Sequence, residues 1–138
     1  HERQIRVLRS LPRPVNVLST HSAWLYSSLV LGCNGLLSGS GSVIADLQTA
    51  LFEAVKTDDM KRARQINDRI YPIAQAFYAD PFADMHNRMK EALVLLGRIP
   101  CAAVRPPLTK IGNAEIARIR QALDDAMVLR AGALALAA

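Results

Sequence analysis

A short run of hydroxyl and imidazole side chains is the first place in this sequence where chemistry could occur. Ser19, Thr20, His21 and Ser22 are consecutive. A histidine beside hydroxyl groups can act as the general base that activates a nucleophile. No acidic residue in the sequence is tied to this group, and a histidine at the start of a helix commonly faces solvent. We therefore favour a position at the rim of a pocket over a role in acid–base catalysis.

A second candidate is the segment Gly39-Ser40-Gly41-Ser42. Glycines let the backbone approach an anion, and a helix that follows them offers free N–H groups to a phosphate. The segment lacks both the third glycine of a dinucleotide-binding fingerprint and the Gly-Lys-Ser/Thr end of a P-loop. A flexible loop at the end of a strand is the favoured interpretation, and phosphate binding stays as an alternative.

The other polar clusters carry less information. No metal-ligand spacing is present among the candidate ligands His86, Asp84, Cys33 and Cys101. One stretch of the sequence is basic, with Arg3, Arg6, Arg9 and Arg13. It has no aromatic residues on which nucleic-acid bases could stack, so the solvated face of a helix is the simpler explanation. We expect no metal and no nucleic-acid partner.

The candidate residues lie in a part of the chain where helices alternate with strands. Hydrophobic periodicity predicts, in order, a helix over 2–11, a strand Val15–Ser19, a helix His21–Leu31 ended by Gly32, a strand Leu36–Ser38, and a helix Val43–Lys56 with Ser42 as its N-cap. This alternation predicts a parallel sheet covered by helices.

After residue 57 the pattern is helical throughout. Apolar residues at spacings of three and four predict helices over Thr57–Tyr78, Asp84–Leu96 and Asn113–Leu129, and we expect Pro72 to kink the first of them. No strand is predicted after Ser38. The sequence therefore predicts two domains, 1–57 with the strands and 58–138 with helices only.

Composition narrows the class of protein. The chain has 138 residues, of which 51% are hydrophobic and 21% charged, so it is not a disordered chain. No apolar run approaches the roughly 18 residues that span a bilayer. Two cysteines form no disulfide framework and no signal peptide is visible, so we expect a cytoplasmic protein without membrane contact.

Two strands alone make an incomplete parallel sheet. Parallel strands are normally buried among several neighbours, and unpaired hydrophobic strand edges are avoided in soluble proteins. The simplest remedy is that further strands precede His1, which is not a methionine. We expect the chain to be the C-terminal part of a larger α/β protein.

Four motifs resemble a known family in their order and spacing. They are Gly32-Cys-Asn-Gly35 with Leu37-Ser38, the helix segment Ala63 to Pro72, Lys90 with Gly97, and Arg105-Pro106-Pro107-Leu108. From about Gln4 to Met127 the chain resembles the last part of members of the dihydrodipicolinate synthase / N-acetylneuraminate lyase family. The resemblance implies the end of a (β/α)8 barrel, with Val15–Ser19 and Leu36–Ser38 as its seventh and eighth strands, followed by a C-terminal helical domain.

The resemblance also implies a chemistry. Family members bind pyruvate or another 2-oxo acid as a Schiff base on a lysine of the sixth strand, with no separate cofactor, and associate as tetramers or dimers. That lysine would precede His1. The four lysines of this chain fall in helical or post-helical segments, and they lack the desolvated setting that frees a lysine amine. The chain by itself is therefore expected to be inactive and to contain no catalytic residue.

The substrate-binding residues implied by the resemblance lie at the two strand ends. Leu37 matches an aliphatic position of the eighth strand whose backbone lines the 2-oxo acid pocket, and Thr20 matches a position often occupied by glycine. His21 and Ser22 replace an acidic stretch, which reshapes the pocket. Ser38, Gly39 and Ser40 are expected to contact the acceptor side of the substrate.

Several functions remain open at this point. The leading expectation is a Schiff-base-forming lyase or aldolase, with dihydrodipicolinate synthase as the first choice. A different 2-oxo acid aldolase or dehydratase of the same family is the second. A non-catalytic helical module for assembly, and a phosphate-binding half-barrel that uses residues 39–42, are the alternatives outside this chemistry.

Overall fold

The computed structural model describes residues 2–129, and the helices provide most of the ordered backbone. The elements are α1 (Glu2–Arg9), β1 (Leu18–Ser19), α2 (Leu25–Val30), β2 (Gly35–Leu36), α3 (Gly41–Lys56), α4 (Met60–Phe77), α5 (Met85–Leu95) and α6 (Asn113–Asp125). Short 3₁₀ turns precede α2 at Ser22–Trp24 and α5 at Phe82–Asp84. Within 2–129 both strands precede residue 57, as predicted.

The two strands pair in parallel, which confirms that part of the prediction. Leu18 lies opposite Gly35, and Ser19 lies opposite Leu36. Since α2 connects them, the unit is strand, helix, strand. The strands are shorter than the predicted Val15–Ser19 and Leu36–Ser38, because each lacks a second neighbouring strand within the described residues.

A side chain extends the pairing where the ladder stops. The main-chain N–H of Val17 donates to the Asn34 side-chain Oδ1 at 2.7 Å, and the Asn34 N–H donates to the Val17 carbonyl at 3.0 Å. At the other end the Leu37 N–H donates to the Ser19 carbonyl at 2.9 Å. Asn34 thus extends the pairing of the two strands by one residue, just before β2 begins.

Two predicted helix starts need correction. The segment predicted as one helix from His21 begins as a 3₁₀ turn, because Trp24 leaves the α-helical region at φ −115°, ψ 6°. Helix α3 begins at Gly41 and not at Val43, so Ser42 lies inside the helix and is not its N-cap. The Ser42 hydroxyl donates to the Gly39 carbonyl at 2.9 Å instead. Ser40 occupies the cap position, but its side chain makes no capping hydrogen bond.

The long helices form one continuous core. Helix α3 packs on α4, and α6 packs on α4 and α5. The fully buried side chains of this core include Leu51 from α3, Ile70, Ile73 and Phe77 from α4, and Ile119 and Leu123 from α6. Helix α4 runs through Pro72, and the departure from helical geometry lies in α3, at Ile44 (φ −130°, ψ 40°). The division into domains 1–57 and 58–138 stays a prediction, and residues 130–138 lie outside the described part.

Helix α4 begins and ends through identifiable contacts. Its N-cap Asp59 accepts a hydrogen bond from the Arg62 N–H at 3.0 Å. Its C-terminal end is held by Arg88 of α5, whose side chain is fully buried. The Arg88 guanidinium donates to the carbonyls of Phe77 (3.1 Å), Ala79 (2.5 Å) and Asp80 (3.3 Å), and pairs with Glu115 of α6 at 2.5 Å. One side chain therefore joins α4, α5 and α6.

None of the helices within residues 2–129 combines the length and apolar character that a membrane-spanning helix requires.

Candidate functional site at the strand ends

The residues that follow β1 and β2 meet in a cluster of hydroxyl groups, two of them buried and one half-buried. Ser22 follows β1, whereas Ser38 and Ser40 follow β2. The Ser38 hydroxyl lies 3.0 Å from the hydroxyls of both Ser22 and Ser40, and Ser22 and Ser40 form the third hydrogen bond. The three side chains, which we call the serine triangle, fasten the two loops to each other.

A glutamine of α3 completes this cluster. Gln48 is 2% exposed, and its amide Nε2, which has two N–H donors, lies 2.9 Å from the Ser40 hydroxyl, 3.0 Å from that of Ser22 and 3.3 Å from that of Ser38. A Cβ at Gly41 would lie 3.1 Å from the Gln48 Oε1, so glycine leaves room for this side chain. Because buried polar groups are costly unless paired, the closed set of bonds stabilises the loop positions.

The predicted site residues occupy different positions around this cluster. Thr20, Gly39 and Leu37 are exposed, the last to 74%. Ser38 is half-buried and belongs to the serine triangle. Ser40 is fully buried, so its hydroxyl serves the triangle and is not open to solvent. The strand ends therefore present Thr20 and Leu37 outward and hold Ser40 inside.

The segment considered as an alternative phosphate cradle, residues 39–42, leads into a turn whose amides are occupied. The N–H groups of Gly41, Ser42, Val43 and Ile44 donate to carbonyls of residues 38–40 at 2.9–3.2 Å. A phosphate at a helix N-terminus needs such groups free. Since these four donors are used by the turn itself, the geometry speaks against the phosphate-binding alternative.

His21 belongs to an aromatic stack and not to a catalytic pair. Its ring lies between Tyr78, with centroids 3.9 Å apart, and Trp24, at 4.6 Å, and Phe82 continues the stack. Its Nδ1 accepts the Ala23 N–H at 3.2 Å. The neighbouring Ser22 hydroxyl bonds within the serine triangle, so nothing here activates a serine. The stacking of His21 on Tyr78 joins the loop after β1 to the end of α4.

A cleft of about 620 Å³ opens beside this stack. Its lining includes the aromatic rings of His21, Trp24 and Tyr78, together with the charged residues Arg118 and Asp125 of α6. Aromatic walls with a few charged groups are typical of small-molecule sites. The cleft lies next to the strand ends without containing Thr20 or Leu37.

The stacking gives His21 a pH signature. Burial lowers the pKa of His21 below its ordinary value near 6.5. The unfolded chain therefore takes up a proton near pH 6.5, where the folded chain resists it, so folding stability is lost as the pH falls through this value. Thermal melts between about pH 8 and pH 5 should show the wild type losing more stability than His21→Phe, which keeps the stack but cannot titrate. Parallel pH curves for the two proteins would contradict this assignment.

Two features of the site are not among those that the sequence predicts. One is the role of Gln48, a polar residue on the apolar face that also carries Ile44, Leu47 and Leu51. That irregularity was the available signal. The contact between His21 and Tyr78 joins residues far apart in the sequence, and no local pattern indicates it.

Metal ligands are not grouped in this site. Across residues 2–129 no three His, Cys, Asp or Glu side chains come close enough to hold a metal ion. Both cysteines are free thiols. Burial raises the pKa of the Cys33 thiol above its ordinary value, which keeps it protonated and unreactive.

Comparison with known proteins gives a consistent result. The chain is 29% identical to 4-hydroxy-tetrahydrodipicolinate synthase of Halorhodospira halophila over 128 residues, which are 93% of this chain and 41% of that protein. It is 30% identical to the putative 2-dehydro-3-deoxy-D-gluconate aldolase YagE of Escherichia coli over 109 residues, 78% of this chain and 35% of that protein. The chain thus spans about two fifths of the length of these relatives.

Solved structures show the same partial match. A monomeric dihydrodipicolinate synthase variant superposes with a TM-score of 0.81 at 18% identity, over 92% of this chain and 41% of its own. YagE in complex with pyruvate superposes with a TM-score of 0.72 at 26% identity, over 82% and 37% of the two chains. The model of the family described as "Dihydrodipicolinate synthetase family" matches residues 2–126. Given this match over nearly the whole sequence, the chain belongs to the dihydrodipicolinate synthetase family.

Proposed function

We propose that this chain forms the C-terminal part of a Schiff-base-forming lyase or aldolase that acts on pyruvate or a related 2-oxo acid. The observation that carries the proposal is the pair of parallel strands whose following loops are fastened together by the serine triangle, within a chain that matches the family over residues 2–126. Active sites of parallel barrels lie at the carboxyl ends of the strands, where these loops are.

Exposed apolar residues support the proposal that further barrel strands lie beside β1 and β2. Leu18 of β1 is 53% exposed and Leu37 is 74% exposed. Within residues 2–129, β1 and β2 pair only with each other, so each keeps an open edge. Upstream strands on these edges would cover both leucines and bury the hydrophobic surface. On this proposal β1 and β2 are the seventh and eighth strands, and the helices from α4 onward form a C-terminal domain.

The proposed reaction divides the chemistry between the two parts of the protein. An amine of a lysine on an upstream strand attacks the 2-oxo carbon, and loss of water forms the Schiff base. Here the backbone at Leu37 lines the pocket for the 2-oxo acid, and Thr20 faces it from the neighbouring strand end. Ser38 and Gly39 border the acceptor, while Ser40 acts by holding the loop.

The lysines of this chain support the same division. Lys56, Lys61 and Lys110 are exposed, and the Nζ of Lys90 donates to the Ala103 carbonyl at 2.5 Å. A Schiff-base lysine needs a partly desolvated setting that frees its amine. We therefore expect the chain alone to form no adduct with pyruvate.

A chimera tests the proposal. The segment of the Halorhodospira halophila relative that matches this chain is replaced by it, and the product is treated with pyruvate and borohydride. We expect the chimera and the parent enzyme to be trapped as covalent adducts by mass spectrometry, and this chain alone to remain unmodified. A folded chimera that forms no adduct would overturn the proposal.

The same chimera distinguishes the alternatives. A panel of acceptor aldehydes offered with pyruvate separates synthase from aldolase activity, between which the similarity to both relatives leaves a choice. We place Thr20 among the specificity residues, so Thr20→Gly should change the ratio of the two activities. A helical assembly module without catalysis is the second candidate, and an oligomer that is trapped by no 2-oxo acid would favour it.

A further inference from the structure

Helix α5 carries a buried carboxylate that lacks a partner. Glu91 is 5% exposed, and its Oε1 accepts no hydrogen bond from the residues that the structure describes. A buried charged oxygen is costly unless a donor satisfies it, and nearly all such groups in native proteins are satisfied. An N–H or O–H donor from outside this part of the chain is therefore required at Glu91.

Glu91 is one of the residues that line a cavity with fixed walls. The cavity has a volume of about 370 Å³ and is lined by Glu91 with the segments 101–104 and 108–110. Lys90 holds the first wall through the Ala103 carbonyl, and Asn87 holds the second through a 2.7 Å hydrogen bond to the Thr109 carbonyl. Asn87, Lys90 and Glu91 share one face of α5, since they are three and four residues apart. The cavity shares no lining residue with the strand ends or the aromatic cleft.

The chemistry of the lining selects the kind of ligand. An anion would be repelled by the Glu91 carboxylate. A multivalent metal would find only one carboxylate among the residues lining the cavity, and residues 2–129 contain no group of three ligating side chains. An ammonium group matches the site, because its N–H donors form strong charge-assisted bonds with a carboxylate.

We propose that this cavity binds a small protonated primary amine, whose ammonium group donates a hydrogen bond to the Glu91 carboxylate. The exposed Lys110 at the cavity wall opposes a simple cation and favours an amine that also carries a carboxylate. A free alkylamine and a small amino acid share the ammonium chemistry, and the experiment separates them.

The test is an NMR titration of the full 138-residue chain with methylammonium chloride. We expect saturable shifts of the amide signals at Glu91 and over 101–110. Tetramethylammonium chloride at equal ionic strength is the matched control, because it carries the same charge without an N–H donor, and it should give no saturable shift. Glycine is the third probe: tighter binding of glycine identifies a zwitterion as the ligand, and tighter binding of methylammonium identifies a simple amine.

Two variants test the assigned roles. Glu91→Gln keeps the shape of the side chain but removes its charge, and it should weaken methylammonium binding about tenfold or more. Lys110→Met removes a like charge and should strengthen methylammonium binding. Water alone would be the occupant if neither amine gave saturable shifts. Equal shifts with tetramethylammonium, or unchanged binding by Glu91→Gln, would also overturn the proposal.

Discussion

Replacement of Arg88 by methionine should lower the free energy of unfolding by about 3–5 kcal/mol. The Arg88 side chain is fully buried and donates to three carbonyls at the end of α4, and it pairs with Glu115. Methionine fills much of the volume but donates nothing, so the carbonyls lose their donors inside the protein. Urea unfolding followed by circular dichroism measures the change.

Arg118 provides the matched control for this experiment. It pairs with the same Glu115 oxygen at 3.1 Å, but its side chain is 51% exposed. Exposed ion pairs contribute about 0–1 kcal/mol, so Arg118→Met should have a small effect. If Arg88→Met and Arg118→Met lost the same amount of stability, the loss would come from the ion pair that both arginines form with Glu115. The buried hydrogen bonds of Arg88 would then contribute nothing, which would contradict the prediction.

Truncation of Leu51 to alanine should cost about 2–5 kcal/mol of stability. Leu51 of α3 is fully buried in the core, with 0% of its surface accessible to water. Removing its three outer carbons leaves a cavity that the packed helices fill only in part. The unfolding free energy from denaturant melts gives the loss directly.

Leu37 is the control with the same chemistry and the opposite environment. Its side chain is 74% exposed, so Leu37→Ala in the chain alone should change stability by no more than about 0.5 kcal/mol. A large loss at Leu37 would show that this side chain is already covered in the isolated chain, and it would contradict the open strand edge on which the proposed function depends.

The helical part of the fold was predictable because its signal is local. The structure contains helices at Met60–Phe77, Met85–Leu95 and Asn113–Asp125. The sequence predicts the same three helices, as Thr57–Tyr78, Asp84–Leu96 and Asn113–Leu129. Apolar spacing identifies a helix from its own residues, and Gly97 ends α5 with a φ of 67°, as its type suggests. Strand length was less predictable, because a residue joins a ladder only where a neighbouring strand exists.

The meeting of the two strand ends was predictable from the sequence, whereas the side-chain contacts there were not, and substrate binding by Thr20 and Leu37 stays a prediction. Thr20 and Leu37 were expected at the strand ends, and the structure brings β1 and β2 together there. The burial of Ser40 follows from Gln48, which approaches from α3, and the stacking of His21 depends on Tyr78 at the end of α4. Such contacts join residues that are distant in sequence, so spacing alone carries no sign of them.

The serine triangle also has a consequence for the electric field at the strand ends. In each of its three hydrogen bonds either hydroxyl can be the donor. The three hydroxyl protons can therefore all point clockwise or all point anticlockwise around the triangle, while the two N–H groups of Gln48 donate to its oxygens in both cases. The two arrangements share the same heavy-atom positions and differ in the direction of the hydroxyl dipoles. The rim of the strands can thus reverse part of its local polarity by rotating three protons, without moving either loop.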